Sequence, residues 1–215
     1  MGFAELHYYV VWSTKVIRRG MATTVSVSNT FPAAYKADVL TAIESVDLVK
    51  VGEAIEIFRR ARDGNRQIFV CGNGGSAATS SHFVCDMVKG ASFGRSNRFR
   101  IMALTDSLPT ITAYSNDVSY ECIFAEQLKN FAHSGDVVMA ISGSGNSPNV
   151  LRAVEYANSI GCTTIGLTGR DGGKLAPMVQ LNIHAANPHM GRIEDVHMIV
   201  THMIGYYFME MEPHR

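Results

Sequence analysis

Apolar positions alternate along this chain between two periods. From Pro32 to Ala61 they recur at helical spacing, with Ala34, Tyr35, Val39, Leu40 and Ile43 on one stripe and Leu48, Val51, Ile55 and Phe58 on a second. Pro32 suits a first helical turn, Asp47 suits the cap of a second helix, and Asp63-Gly64-Asn65 closes it. After this helical pair, short apolar runs take turns with amphipathic stretches. The runs are Gln67–Cys71, Arg100–Leu104, Val137–Ile141, Thr163–Leu167 and Gln180–His184; the helical stretches are Ala77–Val88, Tyr120–Ala132, Pro148–Ile160 and Ile193–Met211. Strands that are apolar at nearly every position need cover on both faces, which predicts a three-layer α/β sandwich with a parallel sheet between helices. No repeat and no low-complexity linker interrupts residues 21–215, which read as a single domain.

Composition changes this picture little. At 215 residues, 47% hydrophobic and 18% charged, the chain suits a compact core. Its formal net charge of zero, with no Lys/Arg run on any predicted helix, gives no footprint for nucleic acid or an anionic membrane. Cys71, Cys85, Cys122 and Cys162 form no CxxC pair and read as free thiols of a cytoplasmic protein. Leu6–Trp12 is too short to span a bilayer, and Lys15, Arg18 and Arg19 follow the apolar run where a secretory signal would place them before it. Residues 1–20 therefore read as an extension upstream of an effective start at Met21.

In an open parallel sheet, ligands bind beyond the carboxyl ends of the strands. After Val137–Ile141 comes Ser142-Gly143-Ser144-Gly145-Asn146-Ser147-Pro148. Two glycines permit a tight turn with converging N–H groups, and Ser147-Pro148 aims a helix N-terminus at the same spot; with three hydroxyls this makes a nest for phosphate. It is not a nucleotide-triphosphate loop: the only Gly-Gly-Lys, Gly172–Lys174, is followed by Leu175. The loop Gly72-Asn73-Gly74-Gly75-Ser76 opens another helix without dinucleotide spacing, and Asn73 with the amides after it suits sugar hydroxyls. Asn116-Asp117 reads as an ordinary turn.

His82 and Asp86 lie one turn apart, opposite an apolar stripe of Val84, Met87 and Val88. The last helix repeats the arrangement, with Val196, Val200, Met203, Ile204 and Tyr207 as stripe, Glu194 opposite and His202 on the flank; His197 points about 140° away from His202. Polar residues facing away from a stripe are commonly just solvated. The alternative is that the two polar faces meet in a cleft, where two imidazoles and two carboxylates serve as an acid/base pair or ligate a divalent metal such as zinc. The residue pattern leaves those two roles open.

CGNGGSAATSSHFVCDMVKG, ISGSGNSPNVLRAVEYANSIG, TIGLTGRDGGKL and RIEDVHMIVTHMI resemble, in this order, the sugar isomerase (SIS) domain, and specifically its phosphoheptose isomerase branch, from about Pro32 to Tyr207. The resemblance implies a flavodoxin-like five-stranded parallel sheet and a homotetramer with active sites at subunit interfaces. It implies a ketose–aldose isomerase converting sedoheptulose 7-phosphate to D-glycero-D-manno-heptose 7-phosphate, often with zinc. Carried over by position, phosphate contacts fall on Ser142, Gly143, Ser144 and Ser147. Sugar contacts fall on Asn73, Gly74, Gly75, Ser76, Asn116, Asp117 and Glu194. Catalysis falls on Asp86 and His202, and metal ligation on His82, Asp86, Glu194 and His202. Two positions depart from the family: Asp86 stands for a glutamate and Glu194 for a glutamine. The rival expectation is a non-catalytic phosphosugar-binding protein of the replication-initiator-binding type, which lacks the terminal-helix histidine present here as His202.

Overall fold

A computed structural model describes residues 30–212; the extension expected over residues 1–20 lies outside them. Eight α-helices and five strands alternate among the described residues. Helix α1 (Thr30–Glu44) and α2 (Leu48–Asp63) precede β1 (Gln67–Gly72), α3 (Gly75–Cys85) and β2 (Arg100–Ala103). Then come α4 (Leu108–Asp117), α5 (Ile123–Phe131), β3 (Val137–Ser142), α6 (Pro148–Ser159), β4 (Thr163–Gly169), α7 (Leu175–Met178), β5 (Leu181–Ala185) and α8 (Met190–Tyr206). Asp47 caps α2 by accepting from the Val49 and Lys50 amides, and Asn65 takes the left-handed conformation that turns the chain into β1.

The sheet order is β2-β1-β3-β4-β5 and every pairing is parallel, for example Ile68 beside Val137 and Met139 beside Ile165. Alternate residues of one strand feed opposite cores. Ile68 and Val70 join Met139, Ile165 and Ile183 against α2, α3 and α8, while Phe69 and Cys71 join Val138 and Ala140 against α5 and α6. This two-sided cover is why the strands lack polar alternation. Phe58 of α2 meets Phe83 of α3 edge to face, with ring centroids 5.5 Å apart. Both are fully buried, so truncating either to alanine costs about 3–5 kcal/mol.

Several expected boundaries move. The stretch expected as one helix over Ala77–Val88 begins at Gly75 and ends in a π-turn, Asp86–Gly90; the last helix begins at Met190 and ends in a second π-turn, Tyr207–Met211. Residues 120–122 form a 3₁₀ turn before α5, and Gln180 precedes β5. Asn116-Asp117 is not a free turn but the last turn of α4. Two stripe residues are on the surface: Val88 is 49% and Met203 36% exposed. Ile193, Thr201 and His197 take the inward positions on α8 instead. Apolar character alone does not bury a side chain when its neighbour along the helix fits the groove better.

Candidate functional site

The first half of the site forms where β1 and β3 end. Gly145, with φ +63°, turns the Ser142–Ser147 loop back on itself, and the loop's own hydroxyls line it. Ser142 Oγ lies 3.2 Å from Ser147 Oγ and 3.5 Å from Ser144 Oγ, and it accepts from the Gly145 amide at 3.2 Å. Ser147 stands at the cap position of α6, but its hydroxyl does not cap; it turns toward Ser142. The N-terminus of α6 begins directly after this loop, and its dipole favours an anion there.

A cavity of about 240 Å³ is bounded by this loop, by Asn73–Ser76 and by Met190 and Glu194 of α8. Gly75 leaves room for Glu194: a Cβ on it would lie 2.4 Å from the Glu194 carboxylate and force that side chain to move. Glu194 thus rests against the N-terminus of α3, where the helix dipole favours negative charge. Gly143 likewise makes room for Met190, since a Cβ would meet Met190 Sδ at 2.4 Å. A larger groove of about 550 Å³ lies at the opposite, amino edge of the sheet, beside Arg60, Arg66 and Gln180. It lies away from the carboxyl ends of the strands, where ligands bind in such sheets.

Asn73 is held from two sides. Its amide exchanges hydrogen bonds of 2.8 Å with Asn149, which is 1% exposed, and accepts from Tyr120 Oη at 2.8 Å. The side chain expected to meet a sugar is committed to tying the β1–α3 loop to the start of α6. Asn149 went unrecognised in the sequence because an asparagine inside a helix carries no local signal of a partner 76 residues away. Asn116 and Asp117 are exposed at the end of α4, bonded to each other at 2.7 Å, and are not among the residues lining the cavity.

The second half lies farther along the same two helices. His82 Nε2 and His202 Nε2 are 2.9 Å apart, and Asp86 Oδ2 lies 3.3 Å from the first and 3.6 Å from the second. Asp86 Oδ2 is buried without a hydrogen-bond partner, and the three donor atoms lie within 4.8 Å of one another. Two imidazole nitrogens and an orphaned carboxylate oxygen aimed at one point fit a divalent cation of the borderline class, with an open side left for another ligand. The two His rings stay partly exposed, so small molecules reach them.

Glu194 is not part of this trio within the chain. Gly75 and His82 are seven residues apart on α3, and Glu194 and His202 eight apart on α8. At 1.5 Å per residue the trio lies about 10–12 Å farther along the two helices than Gly75 and Glu194 at the cavity wall. The contacts at both levels show that α3 and α8 run side by side in the same direction. His197 enters neither half. It is 2% exposed, donates from Nε2 to the Thr168 carbonyl at 3.0 Å, and burial lowers its pKa to about 4.

The family model described as SIS domain matches residues 33–169. Phosphoheptose isomerase of Helicobacter hepaticus is 36% identical over 158 residues, covering 72% of this chain and 78% of that protein. Phosphoheptose isomerase of Geobacter sulfurreducens is 37% identical over 173 residues, covering 77% and 87%. Among solved structures, phosphoheptose isomerase GmhA of Neisseria gonorrhoeae superposes with a TM-score of 0.77 at 31% identity, covering 84% of this chain and 97% of that one.

Proposed function

The chain belongs to the SIS-domain family, on its phosphoheptose isomerase branch, and from that premise we propose that it isomerises sedoheptulose 7-phosphate to D-glycero-D-manno-heptose 7-phosphate through a cis-enediol. The observation that carries this reading is the spacing between an anion cavity and an acid/base trio on one pair of helices. An extended chain advances about 3.5 Å per three bonds, so the roughly eight bonds from phosphorus to C1 of a heptulose phosphate span about 9–10 Å. That length matches the 10–12 Å separation better than a pentulose phosphate, whose six bonds span about 7 Å and fall short by about 3–5 Å.

In this reading the Ser142–Ser147 loop and the first turn of α6 hold the phosphate, and Gly74, Gly75 and Ser76 face the sugar. Asp86 and His202 flank C1 and C2. One takes the proton from C1 as the C2 carbonyl becomes an enediol; the other carries the hydroxyl proton from O1 to O2, and the first returns its proton to C2. Carboxylate and imidazole both exchange protons readily near neutral pH. His82, Asp86 and His202 would hold the divalent metal, read as zinc, and such an ion, when bound, stabilises negative charge on the diol oxygens. Glu194 lies too far along α8 to complete that set from the same chain. A homotetramer with sites between subunits accommodates this, with a second copy supplying Glu194, Asn116 and Asp117. Free cysteines fit a cytoplasmic setting. No helix among the described residues is long and apolar enough to cross a membrane.

Incubation with sedoheptulose 7-phosphate, with and without chelator and followed by NMR, tests the activity. His202→Ala is expected to lose at least about 10²-fold in turnover while sugar-phosphate binding stays measurable. Undiminished turnover would remove His202 from its role. No conversion of any ketose phosphate by the wild type, together with tight binding to a protein partner, would replace the enzyme by the non-catalytic alternative.

A further inference from the structure

The Arg170–Lys174 loop, which carries the Gly-Gly-Lys that makes no nucleotide site, follows β4 and lies directly beneath the Ser142–Ser147 loop. Backbone meets backbone there. A Cβ on Gly145 would lie 2.0 Å from the Gly172 carbonyl oxygen, and one on Gly173 would lie 2.6 Å from the Ser144 carbonyl oxygen and 2.7 Å from Asn146 Nδ2. All three glycines have positive φ, so neither the space nor the conformation admits another residue without strain.

Hydrogen bonds cross the same contact. Leu175 N donates to the Gly145 carbonyl at 2.9 Å, and Lys174 N donates to Asn146 Oδ1 at 3.2 Å. Asn146 Nδ2 in turn donates to the Ser144 carbonyl at 2.9 Å. Asp171 Oδ1 accepts from Gly173 N at 3.1 Å, which fixes the lower loop itself. The Ser144 and Gly145 carbonyls are thereby both engaged, and the amides of the same peptide planes are used within the loop, Gly145 N donating to Ser142 and Asn146 N to Ser144 Oγ. The course of the upper loop, and with it the placement of the Ser142, Ser144 and Ser147 hydroxyls, is thus fixed from below.

We propose that Asn146 and the Arg170–Lys174 loop, through Asp171, are positioning residues that pre-organise the Ser142–Ser147 loop for phosphate. This rests on reading that loop as the phosphate site. Neither group belongs to the acid/base trio, so the consequence is specific: losing them removes binding shared by ground and transition states, raising KM and leaving kcat in place.

The test uses steady-state kinetics with sedoheptulose 7-phosphate and inorganic phosphate as competitive probe, on Asn146→Ala, Asp171→Ala, Asp171→Asn and Ser147→Ala, each first checked for cooperative thermal unfolding. Asn146→Ala breaks two hydrogen bonds, so KM and the phosphate inhibition constant are expected to rise about 10-fold, with kcat within about twofold. Asp171→Ala is expected to behave alike, and Asp171→Asn, which keeps the acceptor for Gly173 N, to stay near wild type. If Asn146→Ala does not fold, the Asp171 pair decides. Loss of kcat at constant KM, or unchanged phosphate inhibition in folded variants, would overturn the proposal. Should Ser147→Ala weaken phosphate binding while the Asn146 and Asp171 variants do not, the phosphate site stands and this inference alone fails. A wild type indifferent to phosphate would sink both.

Discussion

His197 gives a pH dependence of folding whose size follows from its surroundings. The ring is sealed between α8 and β4, Nε2 is committed to the Thr168 carbonyl, and Nδ1 has no partner to stabilise a second proton. Burial is the main cause of the lowered pKa; the Thr168 carbonyl opposes it in part, and nearby His184 adds a small push in the same direction. The unfolded chain binds a proton near pH 6.5, the folded chain only near 4. Between those values the unfolded state holds more protons, so stability is complete above about pH 6.5 and falls as pH descends toward 4. The drop from 6.5 to about 4 corresponds to about 3 kcal/mol. His197→Gln keeps an N–H donor near Thr168 but does not titrate. Urea unfolding of both proteins from pH 8 to pH 4, at one protein concentration, should show the wild type losing about 3 kcal/mol more than the variant. Parallel stability curves would refute the reasoning.

Two further outcomes are expected. Cys71 and Cys162 are buried, with thiols pushed up to about 12 and about 11 by burial, and Cys122 is buried too. A native-state thiol titration should therefore modify Cys85 alone at a fast rate, and Cys85→Ser should abolish that phase; two fast thiols per chain would contradict it. Glu212 accepts from Arg59 at 3.1 Å and pairs with Arg62, whose guanidinium also lies over the Phe99 and Phe208 rings. Glu212→Gln leaves the buried Arg62 guanidinium with only the exposed Asp63 carboxylate as counter-charge and should cost about 2 kcal/mol, visible as a fall of several degrees in Tm; an unchanged Tm would show that the Glu212 pairs contribute little.

How much of the site was legible depends on how local each signal is. The Ser142–Ser147 loop announces itself because its chemistry lies in consecutive residues. His82 and Asp86 are legible as a pair because four residues make one helical turn. That His202 completes them, 120 residues away, is settled by the side-by-side packing of α3 on α8. The same packing moves Glu194 to the other end of the helix pair, although the resemblance groups all four together. The reciprocal Asn73–Asn149 bonds and the Gly145–Gly172 contact are equally non-local. Surface placement of Val88 and Met203 shows the converse limit: periodicity marks a face, but which of its apolar members are covered depends on the partner element.

By itself, the sequence determined the five apolar strands, the helices between them and the capped turn at Asp47, because covalent neighbours and period fix local conformation and the solvent-averse face. Only the tertiary structure decided which outward side chains meet, how far the trio stands from the anion cavity, and that His197 is sealed in the core. Those are distances between elements. They are set by packing of whole helices on a sheet, a property that no single segment of the chain possesses.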